Sequence, residues 1–307
     1  MTGPAGGHTV VRHGPVALVT LARPEVRNAL TPDVWAALAG TVTALDSDPD
    51  VSALVLTGED PAFCAGFDLR GLAGEDPAAR RARMAEPSPF LGMLPPHDTP
   101  VVGAVNGPAV TGGLELALAC DVLVASERAR FADTHARVGA MPGGGLTVLL
   151  PQRIGPGRSR LMSLTGDFVD ADRALAWGLV DEVVPHERLV ERALEVAATM
   201  AQIPAANLAE IRRMYAAMAG RCGPDAFADE QAWAKRWLAE RFDESRLAGE
   251  RGAIVARGSA PSPVAGRAGG GREEDPPAGG GRGEDPPAGG GRGEDPPAGG
   301  GATGGRP

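Results

Sequence analysis

The sequence predicts an α/β fold with a helical C-terminal part, and three observations carry that reading. Short apolar runs alternate with stretches of helical periodicity as far as about residue 185. From residue 186 three helical stretches follow one another with no strand pattern between them. After residue 257 the chain turns to Pro, Ser and Gly, and then to a ten-residue repeat, GGGREEDPPA followed by two copies of GGGRGEDPPA.

Residues 10–12 and Val16–Leu21 read as two strands joined by a turn at 13–15. Thr31 followed by Pro32 is a helix start, and Val34, Leu38, Val42 and Leu45 recur at helical spacing behind it. The acidic residues at 48–50 end that helix. A strand at 52–56 leads into a loop at 57–63. Residues 77–84 read as an exposed, arginine-rich helix within a long connection, a type of segment that often covers a binding site. Val101–Val105 is a buried strand, 106–113 a glycine-bearing loop, 114–120 a short apolar helix and 122–125 a further strand. The C-terminal helices are expected at 187–200, 205–219 and 225–247, broken at Pro204 and at 220–224. The domain organisation expected is a flexible N-terminus at 1–8, a mixed core at 9–185, a helical part at 186–257 and a disordered tail at 258–307. From Gly269 onward there are 16 glycines and 7 prolines, a composition unable to bury a core.

Composition removes several function classes. The net charge of −9 lacks the basic footprint of a general nucleic-acid binder. No apolar run approaches the ~18 residues of a membrane span, and residues 1–8 are neither basic nor apolar, so a cytoplasmic protein without a membrane partner is expected. Cys64, Cys120 and Cys222 are odd in number and widely spaced, which fits neither a disulfide framework nor a zinc site.

Two segments concentrate the chemistry. One is Ala62-Phe63-Cys64-Ala65-Gly66-Phe67-Asp68-Leu69, directly after a strand. The other runs Asn106-Gly107-Pro108-Ala109-Val110-Thr111-Gly112-Gly113-Leu114-Glu115-Leu116, from a strand into a helix. Glycines opening a helix leave free N–H groups beside its positive end, suited to a phosphate or to a carbonyl oxygen gaining charge. Neither a P-loop nor a dinucleotide fingerprint is present. Glu115, in the first turn, either stabilises the helix terminus or acts on what those N–H groups hold.

These segments resemble the crotonase (enoyl-CoA hydratase/isomerase) superfamily. Leu21-Ala22-Arg23-Pro24-Glu25-Val26-Arg27-Asn28-Ala29-Leu30 is similar to its opening L-x-R-P-E-x-x-N-A-L, and Ala62 to Leu69 to its A-F-x-A-G-x-D-L. Val105 to Leu116, Cys120-Asp121, Phe131 to Gly145 and Trp177 to Val184 continue the likeness in order, over roughly residues 9–250. The resemblance implies a crotonase (ClpP/crotonase-like) spiral of ββα units with a helical C-terminal trimerisation part. It implies a homotrimer or dimer of trimers acting on an acyl-CoA thioester, with no cofactor apart from the CoA of the substrate. It makes the backbone N–H groups of Phe67 and Gly112 the donors that hold the thioester oxygen, and Glu115 the first of two glutamates that hold and activate water. The second glutamate's place, in F-x-x-P-E, is taken by His135, with Thr134 for the proline and Asp133 nearby. Arg23, Arg27, Ala65 and Asp68 are the candidate CoA contacts. Residues 248–257 keep only an echo of the family's C-terminal pattern, without its phenylalanine or lysine. The activity expected is hydration of a 2-enoyl-CoA. Isomerisation, thioester hydrolysis, C–C cleavage, or acyl-CoA binding with weak catalysis are the alternatives.

Overall fold

The structure is a computed structural model, and it describes residues 6–68, 92–220 and 224–241. The helix expected at 77–84, the end of the helix expected to reach 247, and the repeat tail lie outside the described residues.

Six strands form the main sheet in the order β1-β2-β3-β4-β6-β9: β1 (His8–His13), β2 (Val16–Leu21), β3 (Ala53–Gly58), β4 (Val101–Val105), β6 (Val122–Ser126) and β9 (Glu182–Val184). The first pair is an antiparallel hairpin closed at His13 and Val16, and the remaining neighbours are parallel. Alternate residues along each strand point to opposite faces. Val16, Ala53, Val55, Val102, Ala104 and Val124 face one way and pack on Leu189, Ala193 and Ala197 of a helix, Leu189–Met200. Ala17, Val19, Leu54, Leu56, Val105 and Leu123 face the other way into the larger core.

Helix α1 (Pro32–Asp46) supplies Val34, Leu38, Val42 and Leu45 to that larger core, as their spacing requires. Its start is the one read from sequence: the Thr31 hydroxyl accepts the Val34 N–H at 3.3 Å, and proline occupies the first turn. Two buried N–H groups at the beginnings of parallel strands are satisfied by carboxylates. Asp121 accepts from Val101 at 2.8 Å and Asp181 from Leu123 at 2.7 Å.

Several boundaries differ from expectation. The segment 106–113 is not a plain loop, because β5 (Pro108–Val110) pairs with β7 (Arg130–Ala132) in a second sheet completed by β8 (Val169–Asp170). Three residues are too few to show a strand's alternation. Helix α2 runs Gly112–Leu118 and so begins two residues early, since its first turn is glycine and carries no apolar signal. Helix α3 (Leu146–Thr165) bends where Gly155, at φ 78° and ψ 161°, leaves helical geometry just before Pro156. α4 (Ala171–Trp177) leads back to β9; α5 (Leu189–Met200), α6 (Ala205–Met218) and α7 (Pro224–Arg241) follow. The N-terminal end of the first expected C-terminal helix is instead a separate 3-10 turn, His186–Arg188.

Candidate active site

Both chemically marked segments meet in the structure. Cys64 donates its N–H to the Pro108 carbonyl at 3.1 Å and accepts the Val110 N–H at 3.0 Å. Three residues on, Leu30 gives its N–H to the Gly66 carbonyl and takes the Asp68 N–H, both at 2.8 Å. A strand alternates the direction of its N–H groups, so Phe67, between those two contacts, points its N–H the other way. That N–H and the one of Gly112 meet no acceptor among the described residues.

Glycine is what brings the two segments this close. A Cβ on Gly113 would lie 1.9 Å from the Cys64 carbonyl oxygen. Gly66 holds φ at 91°, and a Cβ there would lie 2.3 Å from Thr111 Oγ1 and 3.1 Å from the Gly112 nitrogen. Backbone strain gathers here too, with Arg27, Asn28 and Thr111 at φ 54°, 56° and 49°. The Asn28 amide offsets part of that cost: it donates to the Glu59 and Ala62 carbonyls and accepts the Arg23 N–H.

Glu115 is 1% exposed. Its Oε1 accepts the N–H groups of Gly144 at 2.7 Å and Leu146 at 3.3 Å, and its Oε2 lies 4.0 Å from His135 Nε2. The other ring nitrogen, Nδ1, is 2.6 Å from Asp133 Oδ1, and the same oxygen accepts the His135 backbone N–H at 3.1 Å. Asp133, His135 and Glu115 therefore form a buried line of carboxylate, imidazole and carboxylate. The turn bearing His135 is tied to the helix bearing Glu115 by the Thr111 N–H, which donates to the Ala132 carbonyl at 3.0 Å.

The expected CoA contacts divide. Arg27, Ala65 and Asp68 line a cavity of about 310 Å³ together with Glu25 and Phe67. The Ala65 N–H donates to the Arg27 carbonyl at 3.0 Å, and among the described residues none donates to the Ala65 carbonyl. Arg23 is absent from the lining: its guanidinium donates to the Ala29 carbonyl at 2.6 Å and stands 3.9 Å from Asp68. It braces the loop. Cys64 lies beside the site, but burial pushes its thiol up to about 12, so it offers no thiolate near neutral pH.

Two features escape sequence reasoning. One is the pair of N–H groups holding Glu115, because backbone donors carry no residue-type signal beyond the run Gly143-Gly144-Gly145. The other is an aromatic wall: the Trp35 ring meets the Phe67 ring edge-on at 6.0 Å and donates its indole N–H to the Met93 carbonyl at 2.8 Å. Among the described residues no cluster of three potential ligands could hold a metal, and no helix is long and apolar enough to cross a membrane.

Two N–H groups without a described acceptor, one on the Phe67 segment and one opening α2, together with the buried Glu115 and a mainly parallel sheet backed by α5, match what the resemblance implies for an acyl-thioester enzyme of the crotonase fold. The sequence profile of the enoyl-CoA hydratase/isomerase family matches residues 12–251, and the chain belongs to that family. It is 39% identical over 194 residues to the 2,3-dehydroadipyl-CoA hydratase of Escherichia coli, covering 63% of this chain and 75% of that protein. A solved enoyl-CoA hydratase from Mycobacterium tuberculosis superposes with a TM-score of 0.62 at 41% identity, over 76% of this chain and 95% of that one. Another from Bacillus anthracis reaches a TM-score of 0.71 at 28% identity, over 81% and 96%. The chain is an enoyl-CoA hydratase-like enzyme.

Proposed function

We propose that the protein adds water across the double bond of a 2-enoyl-CoA, with Glu115 and His135 as its acid/base pair and the N–H groups of Phe67 and Gly112 as its oxyanion donors. The observation that carries this reading is the 4.0 Å approach of His135 Nε2 to Glu115 Oε2. Water held on Glu115 Oε2 gives that oxygen a proton as its own oxygen bonds to C3. The π electrons move through C2 to the thioester oxygen, where two fixed donors meet the developing charge. Imidazolium at His135 passes the Nε2 proton to C2, the thioester carbonyl re-forms, and Glu115 returns its proton to Nε2. The net change is one water added. No cofactor beyond the CoA of the substrate is needed, and Arg27, Asp68 and the Ala65 carbonyl are the groups placed to meet it, with Arg23 behind them.

Turnover of crotonyl-CoA, followed as loss of the conjugated thioester absorbance, tests the reaction. Absence of turnover in a protein that still binds crotonyl-CoA would leave acyl-CoA binding without hydration as the correct account. A general acid must hold its proton to act, so the wild-type rate should show a limb that falls as pH rises. His135→Ala should flatten that limb as well as lower the rate. A wild-type profile without the limb, or a variant that altered only KM, would make His135 a wall of the pocket.

The same proposal takes the protein as cytoplasmic, and as a homotrimer or dimer of trimers; the apolar side chains left exposed at Leu161, Leu164, Phe168 and Leu175 support an interface between copies. It assigns the repeat tail no part in catalysis. A chain ending at Arg257 should keep its oligomeric state by sedimentation and its crotonyl-CoA turnover; loss of either would give the tail a role.

A further inference from the structure

Asp133 stands outside the two-group scheme, yet it is the residue that touches His135 most closely. Its carboxylate is buried, with only 2% of the side chain exposed, and Oδ1 receives both the ring Nδ1 at 2.6 Å and the backbone N–H of His135 at 3.1 Å. The backbone contact alone would be a local turn of the kind Asp, Asn and Ser all make. A turn does not need an ionised side chain out of water, which is costly unless charge or hydrogen bonding compensates it. The ring contact supplies that compensation, and it has a chemical consequence.

An ionised carboxylate only accepts hydrogen bonds, so Nδ1 must be the donor across that 2.6 Å contact. With the Nδ1 proton held by Asp133, the proton the imidazole can exchange is the one on Nε2. Nε2 is the nitrogen that faces Glu115. Among the described residues, the ionisable groups facing the ring are Glu115 from α2 and Asp133 at the end of β7.

We infer that Asp133 is a positioning residue for His135, fixing the imidazole through Nδ1 so that Nε2 alone carries the mobile proton between Glu115 and the substrate. The inference rests on the reading of His135 as an acid/base group, and the test separates the two. Asp133→Asn retains the size of the side chain but not its charge. With its oxygen in the place of Oδ1 it keeps both contacts as a weaker neutral acceptor; turned over, it donates to Nδ1, moves the ring proton to Nε2 in the neutral imidazole and gives up the backbone contact. The variant should lower kcat for crotonyl-CoA by roughly 100-fold, within the range measured for acid/base groups and their orienting partners, with KM nearly unchanged. In a His135→Ala background the same substitution should cost less than about 3-fold, because a residue acting through His135 has nothing left to act on.

Ring nitrogen NMR of the full-length wild-type protein, with the His135 signals identified by their loss in His135→Ala, gives a readout that does not depend on the variant's folding. Above the imidazole titration it should show Nδ1 protonated and Nε2 bare. The opposite tautomer would overturn the inference, as would an Asp133→Asn loss repeated in full without His135, or no loss at all. If instead His135→Ala keeps wild-type kcat, the acid/base reading of His135 falls first and the role of Asp133 falls with it.

Discussion

Glu115→Gln should lower crotonyl-CoA turnover by about 1,000-fold at every pH, in a protein that folds normally, because a positioned acid/base group contributes ~100- to 10,000-fold. The expectation of a normal fold comes from the geometry. Oε1 accepts both Gly144 and Leu146, and the glutamine oxygen can keep those two contacts. What changes is the second atom, which faces His135 and becomes an amide nitrogen unable to take a proton from water. Glu115→Ala is a different experiment. It removes the acceptor from two N–H groups in a buried loop, each worth ~1–3 kcal/mol when left unsatisfied, so a loss of activity there would mix chemistry with stability. Circular dichroism and thermal unfolding separate the two variants. A glutamine variant that turned over within ~10-fold of wild type would fall below that range and remove Glu115 from the mechanism.

Much of the scaffold was legible because its signals are local. Thr31-Pro32 ahead of Val34, Leu38, Val42 and Leu45 is a start signal followed by a period, and both survive in α1. The core strands were legible for the same reason, as apolar runs long enough to show. β5 and β7 were not, since three residues hold too little pattern to separate a strand from a loop. Resemblance marked other residues without giving their reasons. Asn28 closes three backbone groups around a strained turn, and Asp121 and Asp181 satisfy the N–H groups of Val101 and Leu123, the first residue of β4 and the second of β6. These are services to the backbone, invisible until partners far along the chain are brought near. The same holds for Glu115, whose holding groups lie about thirty residues away. His135 is the reverse case: its departure from the family pattern was plain in the sequence. That Asp133 takes one ring nitrogen and leaves the other to Glu115 depends on a ring orientation no spacing encodes.

The oxyanion donors are main-chain groups, so testing them requires removing a hydrogen and not a side chain. Gly112→Pro does this at the first position of α2, where proline's fixed φ suits a helix start. The substitution also adds atoms. A Cβ at Gly112 would come within 2.9 Å of Phe67 Cδ2, so the ring has to move, and Phe67 is one of the two donor residues. Thr111, at φ 49° and ψ −115°, is a poor neighbour for a proline as well. Gly112→Ala is therefore the necessary partner variant, because it brings the same Cβ and keeps the N–H. Losing one oxyanion donor costs ~100- to 1,000-fold in kcat in other enzymes. Gly112→Ala should lose ~10-fold or less by displacing Phe67, whose 38% exposure gives its ring room to turn, and Gly112→Pro should fall at least ~100-fold below wild type. The difference between the two variants is the contribution of the N–H. If alanine and proline lowered kcat equally, crowding at Phe67 would explain the whole effect, and the thioester oxygen would have to be held elsewhere.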